Sequence, residues 1–191
     1  MRADGAAAEE NVARALSRLI GNKLPVFVCI GTDAVSGDSL GPLVGTALEN
    51  ALNGKTYVFG TLGCPVTALD VNGTADFIKK VYPCCAVVAV DAALGKKEEV
   101  GTIKIADAPI KPGLGVNKNL KEIGDVSVIG VVEEKGGLGV NLGTVRLSLV
   151  YRLAEAIAGG AALYVERLKR AEIPSPAFKT SDLFLKADSL K

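Results

Sequence analysis

Apolar and polar positions along this chain fall into alternating blocks of two periods. Residues 7–21 set Val12, Ala15, Leu16, Leu19 and Ile20 at helical spacing, and Gly21 and Asn22 end the run. Phe27, Val28, Cys29 and Ile30 form a short unbroken apolar stretch, as a strand buried on both faces does. A loop of small and polar residues, 32–37, follows. A second helix opens at Asp38 and Ser39, with Leu40, Leu43, Val44, Ala47, Leu48 and Ala51 on one face. Pro42 falls in its first turn, where a missing N–H costs little.

The same two periods continue downstream. A turn at Asn53, Gly54 and Lys55 leads into a second strand at 56–60, and a helix is predicted over 74–81, stopped before Pro83. The third strand, 86–91, is apolar up to a sudden carboxylate, Asp91. Residues 101–105 alternate, as a half-exposed antiparallel edge strand would. Another buried strand covers 126–132, and residues 133–139 read as a solvated, flexible loop. A long helix runs from 144 to 157 and on through Arg170. From Ile173 the chain turns polar and gains prolines, which predicts a loosely packed tail over 173–191. Strands alternating with helices imply an α/β three-layer sandwich with a mostly parallel sheet. Residues 1–191 read as one domain with its core at about 7–170.

Composition narrows the function. The net charge is +1 and scattered, so there is no electrostatic footprint for nucleic acid. No apolar run reaches the ~18–20 residues that span a membrane. The first twenty residues lack a charged-then-apolar export pattern, which predicts a cytoplasmic protein. The four cysteines, Cys29, Cys64, Cys84 and Cys85, have no metal-site spacing and read as small buried hydrophobes. There is no histidine. That removes Ser-His-Asp and Cys-His triads, imidazole bases and the common zinc sites together, so no cofactor or metal is expected.

Two carboxylates remain. Asp38 and Asp91 each end or follow a buried strand, and in open α/β sheets that edge is where ligands bind. Facing each other across a crevice, they can share one proton and act as base and acid. The plainer alternatives are a helix cap for Asp38 and a loop-capping role for Asp91. Asp33 lies in the same loop, as a third member of the site or as an Asx-turn. With Asp33 added, a metal-dependent hydrolase is a further alternative. The loop GTDAVSGD lacks phosphate-binding glycine spacing, and its acids would repel a phosphate. The loop PGLGVNK, 112–118, offers backbone N–H groups to a peptide or anion, or is a plain turn.

Three blocks in this order, GTDAVSGDSLGP, AVVAVDAALG and PGLGVNKNLKEIGDVSVIGVV, resemble the YyaC family of sporulation proteins. That family is similar to the spore germination protease and, more distantly, to hydrogenase maturation endopeptidases. The resemblance spans residues 25–158 and implies the fold of those proteases, also described as phosphorylase/hydrolase-like. Asp38 and Asp91 match the germination protease's catalytic aspartates. Thr32, Asp33, Pro112, Gly113, Gly115, Asn117 and Lys118 would line the binding cleft. The hydrogenase endopeptidases recognise nickel through a Glu, an Asp and a His; Asp38 and Asp91 match the first two, and the third has no counterpart. The resemblance thus implies a sporulation-associated aspartate-pair peptidase. Its substrate would be a peptide or protein, with small acid-soluble spore proteins as one candidate. The alternative is a non-catalytic spore protein that binds a peptide or protein partner in the same crevice.

Overall fold

The computed structural model describes residues 1–3, 7–112, 120–136 and 142–168. Five strands form one sheet in the order β2-β1-β3-β5-β4. They are β1 (Pro25–Cys29), β2 (Tyr57–Phe59), β3 (Ala86–Gly95), β4 (Ile103–Ala106) and β5 (Val126–Glu134). All neighbours run parallel except β4, which pairs antiparallel with β5. The alternating pattern at 101–105 is therefore an antiparallel segment at the end of the sheet order. Four helices complete the fold: α1 (Ala8–Ile20), α2 (Leu40–Leu52), α3 (Val71–Val81) and α4 (Leu147–Arg167).

Strand periodicity sorts the core into two layers. Phe27 and Cys29 of β1, with Ala86, Val88 and Val90 of β3, face α1, α2 and α4. Val26, Val28 and Ile30, with Ala89, face α3 and the segment holding Ile110 and Ile123. Beside β2 that second layer carries an aromatic cluster, in which the Tyr57 and Tyr82 rings lie 4.2 Å apart. Tyr164 of α4 is buried and donates its hydroxyl proton to the Lys23 carbonyl at 2.6 Å, tying α4 to the turn before β1.

Several boundaries differ from those the pattern predicts. Asp91 does not end its strand: β3 continues to Gly95, in ladder with β5. Residues 92–95 are half-buried, so their mixed exposure hides the strand from an apolar-run criterion. For the same reason β5 takes in Glu133 and Glu134. Helix α3 starts at Val71, ahead of the predicted 74. Helix α4 is continuous across Gly159 and Gly160, where α1 packs so closely that a Cβ on Gly160 would collide with Val12. Of the cysteines only Cys29 is buried; Cys64 and Cys84 are exposed because each sits in a turn, and Cys85 is half-buried. The tail 173–191 lies outside the described residues.

Candidate active site

The sheet order reverses direction between β1 and β3. From β1 the chain passes to α2 on one face, and it reaches β3 from α3 on the other. At the carboxyl ends of β1 and β3, the edge where open α/β sheets bind ligands, lies a crevice. It is a cleft of about 720 Å3, and both Asp38 and Asp91 line it. Its walls are mostly apolar: Ile30, Val35, Ile110, Ile129 and Leu142 contribute, with Ser127, Lys111 and Lys135 among the polar members.

Asp38 is placed by a short 3-10 turn, Ser36–Asp38, rather than by the helix itself. The residue flanking α2 is Ser39, so Asp38 is not the helix cap. Three constraints hold the turn. The Thr32 N–H points at Asp38, 3.1 Å from Oδ2 and 3.2 Å from the carbonyl oxygen. Gly31 has φ +139°, and a Cβ there would collide with that carbonyl, so this approach requires glycine. The Ser36 hydroxyl, with one proton to donate, lies 2.9 Å from the Val145 carbonyl and 3.1 Å from those of Leu142 and Gly143. The turn is thus clasped to the segment that leads into α4.

Asp91 projects from within β3. Its neighbours Val90 and Ala92 pack toward the α1/α2/α4 layer, so alternation turns Asp91 to the opposite face. Its Oδ1 accepts a hydrogen bond from the Ala92 N–H at 2.8 Å.

The electrostatics follow from this placement. Burial pushes the Asp91 carboxyl up to about 7, opposed by the Ala92 N–H and reinforced by the charge of Asp38. Burial also raises Asp38, against the stabilising Thr32 N–H. Of the two acids Asp91 is the one whose proton is held up to about 7, chiefly by burial, with the charge of Asp38 a lesser cause. Cys29, just below at the end of β1, has its thiol pushed far up by burial and is no nucleophile. Among the described residues there is no group of three or more His, Cys, Asp or Glu side chains that could hold a metal.

The other residues expected at the site divide. Thr32 supports Asp38 through its backbone, and Pro112 lines the cleft. Asp33 is exposed and does not belong to the lining. Gly113, Gly115, Asn117 and Lys118 lie outside the described residues. Lys135 and Leu142 had no signal in the sequence, because each reaches the cleft from a segment with no periodic pattern.

Comparison with known proteins places this geometry. The profile of a family described as "Protein of unknown function (DUF1256)" matches residues 1–160. The Bacillus subtilis (strain 168) protein described as "Uncharacterized protein YyaC" is 41% identical over 162 residues, which are 83% of this chain and 79% of that protein. Among solved structures, the NiFe hydrogenase maturation protease HycI from Thermococcus kodakarensis KOD1 matches with a TM-score of 0.52 and 22% identity. That match covers 80% of this chain and 99% of the other. At that identity the likeness is one of fold: the chain has the α/β architecture of that protease.

Proposed function

The chain belongs to the DUF1256 family of proteins of unknown function, and from that premise we propose that it is a peptidase whose acid–base pair is Asp38 and Asp91. One observation carries the proposal: two carboxylates, one from the turn after β1 and one from β3, line one cleft, and the charge of one raises the pKa of the other. A structural acid gains nothing from such a neighbour, whereas a pair that must divide one proton between two tasks does. Asp38, the ionised member, takes a proton from water as the oxygen attacks the peptide carbonyl. Asp91, holding the shared proton, gives it to the departing amine. The fold likeness to a hydrogenase maturation protease supports the peptidase class. The three sequence blocks that resemble the YyaC and germination-protease families support a role in sporulation, with a spore protein as substrate.

The test is direct. Purified protein is incubated with spore-protein extract from about pH 4 to about pH 8, and new termini are identified by mass spectrometry. Cleavage at internal peptide bonds is expected from the wild-type chain and not from Asp91→Asn. Extracts with unchanged termini at every pH would end the peptidase reading and leave the cleft to a bound peptide or protein partner.

A further inference from the structure

The unequal lengths of β1 and β3 leave part of a sheet open inside the cleft. β1 is in register with β3 only as far as Cys29 and Val90, and one further bond follows, from the Ile30 N–H to the Val90 carbonyl at 2.8 Å. The chain then turns away, with the Gly31 N–H bonded to the Val66 carbonyl. β3 runs on through 91–95, paired with β5 alone.

Along a strand the N–H and C=O of one residue point to the same neighbour, and successive residues alternate. Val90 faces β1, so Ala92 and Leu94 face the side β1 has vacated. Gly95 faces β5, as its bond from the Lys135 N–H at 2.7 Å requires. The ladder irregularity beyond Ala93 leaves this alternation intact, because the extra residue, Val132, is on β5. Of the groups on the vacated side, the Ala92 N–H is taken by the Asp91 carboxylate. The Ala92 carbonyl and both backbone groups of Leu94 have no partner among the described residues. Ala92, Ala93 and Leu94 all line the cleft and are half-exposed.

An open strand edge is a template for another strand. We propose that this edge binds a peptide in extended conformation, which adds to the sheet beside Ala92 and Leu94 in the place β1 has left. The proposal rests on the reading of the cleft as a peptide site and names the mode of recognition. Backbone pairing supplies the affinity, and alternate side chains of the peptide enter the apolar wall of Val35, Ile110, Ile129 and Leu142. Lys135 lines the cleft without an ion pair to any described residue, which suits a peptide carrying an acidic side chain. Because Asp91 holds the first N–H of the open edge, a strand paired there passes its backbone directly by the carboxylate.

The probe is a set of fluorescein-labelled hexapeptides built from Ala, Val, Leu and Glu, read by anisotropy with the Asp38→Asn protein so that nothing is cleaved. The tightest binder is then N-methylated at each amide in turn. The expected result has a period of two: methylation at alternate positions weakens binding by at least about fivefold, and at the positions between has little effect. Binding should also slow hydrogen exchange at the Leu94 amide. Equal sensitivity at all positions, or at none, would overturn strand addition while leaving the peptidase proposal standing. So would failure of every hexapeptide to bind while the wild-type chain still cleaves spore proteins. Absence of both binding and cleavage would overturn the two together.

Discussion

Between Ala86 and Val90, β3 is paired with β1 along one edge, and three of its side chains join the helix-covered core. From 91 to 95 the same strand has β5 on one side and the cleft on the other, and every residue is half-buried. The first half is hydrocarbon throughout; the second begins with a carboxylate whose ionisation its own surroundings oppose. One continuous strand thus joins the core at its amino end and lines the cleft at its carboxyl end. The two environments are separated by register along one element, and a side chain on a rigid strand keeps its geometry.

Four substitutions test that division, the largest effect first. Asp91→Asn, and likewise Asp38→Asn, should lower peptidase turnover by roughly 10²–10⁴-fold, the usual worth of a positioned acid or base. Steady-state cleavage of an identified substrate measures this, and turnover within a factor of about two of wild type would remove the pair from the mechanism.

The stability of Asp91→Asn should move the other way, and with pH. The folded state holds the Asp91 proton up to about 7, whereas the ordinary value for an aspartate in an unfolded chain is 3.8. Between those values the unfolded state binds fewer protons, so wild-type stability falls as pH rises through that window and is flat above it. The full cost is on the order of 4 kcal/mol. Asn keeps an oxygen for the Ala92 N–H and carries no charge. The variant should therefore melt higher than wild type at about pH 8 and match it at about pH 4. A variant that melts lower at both pH values would make Asp91 a structural residue, erasing the contrast between the halves of β3.

Val88→Ala, in the amino half, should cost about 2–3 kcal/mol through lost burial and a residual cavity. Leu94→Ala, in the carboxyl half, removes more atoms from a half-exposed position and should cost less than about 1 kcal/mol. Denaturant titrations of the two proteins side by side give the comparison. Equal losses would mean that the open half of the strand is as much a part of the core as the closed half.

Much of this arrangement is legible in the sequence, and the reasons are physical. Both aspartates follow apolar runs, and burial of such runs on two faces fixes a parallel sheet whose carboxyl edge carries whatever comes next. The order of residues puts Asp38 and Asp91 at that edge; that they meet in one cleft requires β1 and β3 to be neighbours, as they are. The continuation of β3 past Asp91 is not legible, because Ala-Ala-Leu-Gly at a half-open edge has neither an unbroken apolar run nor strict alternation. Asp38 resembles a cap by spacing alone; that the preceding turn, and not the helix, holds it depends on Thr32, Gly31 and a distant segment. Asp33 shares the loop's composition and differs only in the direction it faces, which no local pattern encodes.

The clasp at Ser36 has a consequence in time. Its carbonyl partners lie 106 to 109 residues further along the chain. Closing so long a loop is a late event, since its entropic cost is met only after the intervening elements have packed. A chain made from its amino end can pair β1 with β2 and β3 while still attached to the ribosome. The turn bearing Asp38 gains its anchor only when Val145 has emerged, with β5 already in place. The growing polypeptide therefore carries both acids before the turn that bears Asp38 is anchored, so the cleft is completed only late in its synthesis.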